Sequence, residues 1–298
     1  MRNLNSVHLN GLRALEAVGR LGSLQAAADE LGVSVGAVSQ QVIKAEAQLG
    51  QVIFERTARG MIVTEAGRPV LFALAEGFAR LSAAVSIASR KDDAILTISV
   101  APVFAARWLV CRLDRFAERH PDIKLRLDAT TNLVNPALCD VDIGIRVGAG
   151  TWPDVKAELL LEQEVFPVCS PDMAAKLKGP ADLLELPAII DGNAMFTWEV
   201  WMREAGLSGA TLATRHVFND ASLCLDAAIA GQGVMLAWQT LAGFSLAEGR
   251  LVAPFGIRAK TGFGHYFVTA AGTREPKKVK DFKAWIREEM AGTLALFR

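Results

Sequence analysis

Ser39, Gln40, Gln41 and Lys44 crowd one short stretch, residues 34–49, whose apolar positions recur at helical spacing. On a helix they would point outward together with Val35 and Gly36, away from inward Ala37, Val38, Val42 and Ala45. Glutamine can pair bidentately with adenine, and valine can touch a thymine methyl group. Ser34, just ahead of this stretch, is placed to cap the helix beside the same surface. Further on, Arg56 and Arg59 flank a turn between two short apolar segments, residues 53–56 and 61–64. Guanidinium groups on such a hairpin can rest on phosphates or enter a minor groove. The chemistry on offer is recognition of double-stranded DNA. A plain packed bundle of three helices remains the alternative, because the local basic residues are matched by acidic ones.

Catalytic and metal chemistry find less support. His8, His120, His216 and His265 share no ligand spacing with one another or with Cys111, Cys139, Cys169 and Cys224. The cysteines form no CxxC pair and read as reduced, buried, small apolar groups of a cytoplasmic protein. Asp140 and Asp142 have the spacing that puts two carboxylates on one strand face, but a turn or hinge role accounts for them. Trp198 and Trp201, at i and i+3, read as packing residues. No GxSxG or phosphate-loop motif occurs. No enzyme activity, cofactor or metal is expected.

Bulk composition bounds the rest. The 298 residues hold 32 Lys+Arg against 32 Asp+Glu, so any DNA-binding surface must be local. With 51% hydrophobic and 21% charged residues, the chain can build real cores. No uninterrupted apolar run reaches the length of a membrane span, and none near the start resembles a signal peptide.

The elements that must position these residues are legible locally. Helices are predicted over Leu9–Leu21, Leu24–Leu31 and Val35–Leu49, the last two capped by Ser23 and Ser34, and the three closed by Gly22, Gly32 and Gly50. Two short helices joined by a glycine-containing turn make a helix-turn-helix, whose second member enters the major groove. A long helix follows from Glu65 to about Ser89. In it Leu71, Leu74, Phe78, Leu81 and Val85 are spaced 3, 4, 3, 4, a seam for pairing with a second helix or for packing on its own domain. Residues 90–93 are a polar break and a candidate hinge.

The run SLQAAADELGVSVGAVSQQVIKAEAQLGQVIFERTARGMIVTEAG resembles the N-terminal domain of LysR-type transcriptional regulators. The likeness covers residues 8–67, with the AA-x-x-L, AVS, LG, F-E-R and T-E-A-G elements in order. It implies a winged helix-turn-helix, a dimerising linker helix, and Ser39 as the leading base or phosphate contact. Val35 and Gln40 stand where the family commonly has Gln and Arg at base edges, and Ala45 where it has a core Leu.

Strand-like and helix-like segments alternate in the last two-thirds of the chain, which predicts α/β units with mostly parallel pairing. Here PVFAARWLVCRLDRFAERHPDIKLRL, VDIGIRVGAGTWPDV, EQEVFPVCSP and AAIAGQGVMLA resemble the LysR-type effector domain, in particular its glycine-cleavage-activator-like subgroup. The resemblance implies a periplasmic-binding-protein-like fold of two subdomains, crossed near Glu164 and near residues 266–269. On that analogy an effector cleft is lined by residues 101–104 (with Val103 and Phe104), 130–135 (with Thr131 and Asn132), 192–197 and 219–222 (with Asn219 and Ser222). Arg146 and Tyr266 would stand on its hinge side. Helix N-termini favour anions, so a carboxylate-bearing ligand is expected. Val103, where the family often has Ser or Thr, cannot donate a hydroxyl.

The expected fold class is therefore α plus α/β. A winged helix-turn-helix at 1–65 is followed by a linker helix at 66–90 and an effector domain at 91–298. The effector domain divides into subdomain I at 94–164 and 269–298 and subdomain II at 165–268. Expected partners are double-stranded DNA, a small-molecule effector, a second copy of the chain as homodimer or homotetramer, and RNA polymerase, with no membrane.

Overall fold

The computed structural model describes residues 2–57, 60–89, 94–137, 139–295 and 297, by backbone alone at 2, 3, 56, 57, 60, 83 and 86–89. Its contacts divide the chain into two compact units, Met1–Arg90 and Lys91–Arg298. The candidate hinge at 90–93 lies outside the described residues.

Capping chemistry sets the helices of the first unit. They are α1 (Leu9–Leu21), α2 (Leu24–Leu31) and α3 (Val35–Leu49), with the bounds expected from the sequence. Ser23 Oγ accepts the N–H of Ala26 at 3.4 Å and Ser34 Oγ that of Ala37 at 3.2 Å, each satisfying a free donor of a first turn. Gly32 ends α2 at φ +67° and Gly50 ends α3 at φ +66°, a conformation that a Cβ would strain. Leu15, Val18, Ala27, Ala28, Val38, Val42 and Ile53 form the shared core. β1 (Phe54–Thr57) and β2 (Gly60–Val63) pair antiparallel, Phe54 opposite Val63.

The linker helix α4 spans Gly67–Ser89 and starts later than Glu65. Thr64 explains the delay: its Oγ1 accepts the N–H of Gly67 at 2.9 Å and donates to the Val52 carbonyl at 2.8 Å, so the chain turns there first. The apolar seam divides in two. Leu71, Leu74 and Phe78 pack on the core of their own unit. Leu81 and Val85 stay exposed, as does Phe72.

The second unit is built on one eight-stranded sheet of order β4-β3-β5-β10-β6-β9-β7-β8. β3 (Ile95–Val100) leads into one helical run through α5 (Pro102–Phe104), a π turn at Ala105–Leu109, a 3-10 turn at Val110–Arg112 and α6 (Leu113–Arg119). The run begins at Pro102, the first helical position, where a missing N–H costs nothing. β4 (Lys124–Ala129), β5 (Ile143–Gly148) and the long β6 (Val155–Val168) follow. Then come α7 (Pro171–Ala174), β7 (Ala188–Asp191), α8 (Trp198–Glu204), β8 (Thr214–Phe218), α9 (Ala221–Ile229), β9 (Val234–Trp238) and α10 (Gln239–Ala247). β10 (Ala259–Ala270) and α11 (Lys277–Ala295) close the chain.

Parallel pairing holds within β4-β3-β5 and within β9-β7-β8. Between these groups β10 and β6 pair antiparallel with each other and with β5 and β9. The sheet is mixed rather than mostly parallel because two long strands run through both halves. β6 pairs with β10 from Val155 and with β9 from Val165 onward, so it changes neighbours near Glu164. In the first half, Trp108, Phe116, Phe282 and Trp285 fill the core. In the second, alternate residues of β6 and β9 serve two clusters. Phe166, Met235 and Ala237 face α9 and α10, while Val165, Val234 and Leu236 face Trp201. Among the described residues no helix is long and apolar enough to cross a membrane.

Candidate nucleic-acid interface and effector cavity

The exposed face of α3 is set by its helical columns. Val38, Val42 and Ala45 are buried, while Gly36, Ala37, Gln40, Ile43 and Lys44 are exposed and Ser39 and Gln41 half-buried. Two sequence expectations are corrected. Ala37 faces outward because it shares a column with Gln40 and Lys44, at i+3 and i+7. Val35 is half-buried against the core because it shares a column with Val38 and Val42. Ser34 is exposed, its oxygen committed to the cap. Ile43, 47% exposed, is a large aliphatic group on this face that sequence reasoning missed. Counting three residues on from Gln40 would have found it.

Both ends of the hairpin are tied to helices. Glu46 on α3 accepts the backbone N–H groups of Ile53 and Phe54 at 2.7 and 2.9 Å through one carboxylate oxygen. A Cβ on Gly67 would come within 2.5 Å of the Ile53 carbonyl, so only glycine allows α4 to start so close to that strand. The hairpin arginine Arg59 and the side chain of Arg56 lie outside the described residues. Arg20 joins α1 to α2, 2.8 Å from Glu16 and 2.5 Å from Glu30. Its hydrogen bonds hold the Glu30 carboxyl below the usual range.

In the second unit a cavity of about 130 Å³ lies where the two halves of the sheet meet. Ala101, Val103 and Phe104 come from the β3–α5 connection, and Asn193, Ala194, Met195 and Phe196 from the turn after β7. Val147, Gln163, Asp191, Trp238 and His265 complete it. Val103 and Phe104 are thus brought together as expected.

The segment 192–197 contributes too, while Thr131, Asn132, Arg146, Asn219, Ser222 and Tyr266 lie outside this lining. Arg146 is buried, and its guanidinium donates to Ser99 O and Ser99 Oγ, Ile145 O and, twice, Asn132 O. All five N–H groups of an arginine are then used, which leaves none for a ligand. Burial also lowers its pKa. Thr131 and Asn132 are exposed, the latter contributing the carbonyl that Arg146 binds. Asn219 is exposed and accepts from Asn193 Nδ2 at 2.7 Å through its carbonyl. The Ser222 carbonyl takes Arg107 Nη2 at 3.1 Å, beside the 2.6 Å Arg107–Asp226 ion pair. Tyr266 packs edge-on against Trp152, with ring centroids 5.6 Å apart.

His265, one residue before Tyr266, is the β10 residue that reaches the cavity. It is 1% exposed, its Nε2 lies 3.1 Å from Thr240 Oγ1, and its Nδ1 has no partner. Burial pushes its pKa down to about 4, so the ring is neutral at pH 7. Burial raises the pKa of Asp191; the N–H of Asn193 opposes this and nearby Asp220 adds to it. The buried thiols of Cys169 and Cys224 are pushed up to about 11 and about 12, so both stay protonated and unreactive.

Comparison with known proteins decides the family. Residues 9–68 match the bacterial regulatory helix-turn-helix protein model of the lysR family, and residues 89–291 match the LysR substrate binding domain. The chain belongs to the LysR family of transcriptional regulators. It is a DNA-binding regulator with an effector-binding domain, not an enzyme. It is 34% identical over 294 residues to the glycine cleavage system transcriptional activator of Escherichia coli K12, covering 97% of this chain and 96% of that protein. It is 35% identical over 289 residues to the transcriptional activator AmpR of Pseudomonas aeruginosa, covering 95% and 96%. The effector domain of Pseudomonas aeruginosa AmpR superposes with a TM-score of 0.57 at 33% identity, covering 66% of this chain and 96% of that one. Full-length AphB of Vibrio cholerae shares the fold, with a TM-score of 0.55 at 18% identity over 94% of this chain and 98% of its own. Within this LysR-type chain, Val103 places an apolar wall in the cavity.

Proposed function

We propose that this LysR-family regulator reads a two-fold-related DNA site through the outer face of α3, as a homodimer or homotetramer. A small molecule in the second unit's cavity would adjust its DNA affinity. The observation that carries the reading is the α3 surface: Gln40, Ile43 and Lys44 exposed over a buried Val38–Val42–Ala45 spine. Gln40 is the base reader, Lys44 a phosphate contact, and Ser34, Ser39, Val35, Arg56 and Arg59 are flanking contacts. Exposed Phe72, Leu81 and Val85 on α4 supply apolar surface for a second copy, and a dimer supplies the second half-site. An effector bound between the halves would bias the relative populations of two arrangements. Activation would add RNA polymerase as a partner, and the protein would work in the cytoplasm beside its DNA.

A carboxylate-bearing effector was the expectation from helix N-termini. The cavity's side chains argue the other way, since Asp191 lines it and, among the described residues, no Lys or Arg does. The functional reading is tested by salt-dependent binding of the full chain to operator-containing duplex. Binding that falls steeply with salt, and less steeply in Lys44→Ala, supports it. Absence of any salt-sensitive DNA binding overturns it.

A further inference from the structure

The cavity wall carries a carboxylate and, among the described residues, no Lys or Arg. Asp191 Oδ1 accepts the N–H of Asn193 at 3.0 Å, and its other oxygen has no protein donor among the described residues. The side-chain carbonyl of Asn193 also has none, because its amide nitrogen is the group that reaches Asn219. His265 also lines the cavity, 1% exposed and neutral at pH 7, and brings no charge. The neutral donors on Gln163 and Trp238 bring no formal charge.

A second cavity, of about 530 Å³, shares Asp191, Ala194 and Phe196, adds Glu199, and also has no Lys or Arg in its lining. The approach from that side is therefore acidic as well. Phe104, Phe196 and Trp238 add aromatic rings, whose faces attract cations. About 130 Å³ is room for roughly four water-sized groups, since water occupies about 30 Å³ in the liquid.

We propose that this cavity takes a small protonated amine, its N–H groups held by the Asp191 carboxylate and the Asn193 side-chain carbonyl among three aromatic side chains. The proposal rests on the effector reading above and names its ligand class. A carboxylate of the same size would meet Asp191 with no side-chain counter-charge.

The test uses three near-isosteric probes with the full chain at matched ionic strength: propylammonium chloride, propionamide and sodium propionate. Melting is followed for the unmodified chain and for Asp191→Asn. Propylammonium is expected to raise Tm in proportion to the logarithm of its concentration once saturating. Propionamide should do so less and propionate not at all, with affinity for propylammonium at least tenfold weaker in Asp191→Asn. A propionate shift equal to or above that of propylammonium overturns the proposal. So does an unchanged affinity in Asp191→Asn, or no shift from propylammonium at tens of millimolar. If Asp191→Asn fails to fold, the ranking on the unmodified chain decides alone. A mobility shift in the same samples separates the two readings. Propylammonium binding that leaves DNA affinity untouched sinks the effector role and spares the ligand class. Salt-sensitive DNA binding with propionate preferred does the reverse.

Discussion

Gly11 on α1 and Ala45 on α3 are packed so closely that a Cβ on Gly11 would stand 3.0 Å from that of Ala45. The contact accounts for a small residue where the family resemblance leads one to expect leucine. The pair sets how near the recognition helix lies to the body of its unit. Ala45→Leu inserts three carbons where Ala45 is 1% exposed, and is expected to destabilise by about 1–3 kcal/mol. Urea unfolding followed by circular dichroism checks this. An unchanged midpoint would mean that α1 and α3 separate at little cost.

The double acceptor at Glu46 makes a second prediction. Glu46→Ala strands the N–H groups of Ile53 and Phe54 and should cost about 1–3 kcal/mol. Glu46→Gln keeps a carbonyl oxygen in place and should recover most of the loss. Equal losses in the two variants would show that charge, not hydrogen bonding, holds the hairpin to α3.

On α3 itself, Lys44 and Gln40 should separate by type of effect. Lys44→Ala should weaken binding to all duplexes and reduce the log–log salt slope by about 1. Gln40→Ala should cost about 1–3 kcal/mol on the preferred operator and little on unrelated DNA. Fluorescence anisotropy across a salt series reads both.

Much of this was legible because local chemistry wrote it. Ser23, Ser34, Gly22, Gly32 and Gly50 bracket the first three helices, and caps act within a turn of the residue that makes them. Positions decided by tertiary packing were harder to read. The spacing of Leu71, Leu74 and Phe78 is the same whether a helix pairs with a partner or folds onto its own domain, and they do the latter. Thr214–Phe218 and Gln239–Ala247 carry weak local signals for strand and helix. Tyr266 was expected at the cleft, yet His265 lines it. A strand's faces alternate residue by residue, and the register of β10 on β6 shifts between these two residues. Arg146 was placed at the hinge side of the cleft by the family resemblance alone; the Ser99, Ile145 and Asn132 oxygens that it binds show it as a clamp.

The buried His265 predicts a pH dependence with a definite sign. Its folded pKa of about 4 lies below the ordinary 6.5, so the unfolded chain binds the extra proton between those values. Stability is therefore intact above about pH 6.5 and falls as pH drops toward 4, by about 3 kcal/mol if no other group compensates. His265→Phe should flatten this part of the profile. A slope unchanged in the variant would assign the acid sensitivity to carboxylates instead.

For Arg146 the account predicts loss of fold rather than of ligand. Arg146→Lys offers three donors where five are used, and leaves carbonyls of Ser99, Ile145 and Asn132 short of partners. A lower Tm without ligand is expected, with a stability loss typical of breaking a buried network, about 3 kcal/mol or more. An unshifted Tm with abolished ligand response would return Arg146 to the binding site.

Whether the outer face of α3 reads bases is decided by selection from randomised duplex DNA with the full chain. The unmodified protein should enrich a two-fold-symmetric sequence. Gln40→Ala should relax preference at one base pair of each half-site and leave the remaining positions as they were. No enriched sequence, or the same sequence enriched equally well by Gln40→Ala, would contradict base reading by α3.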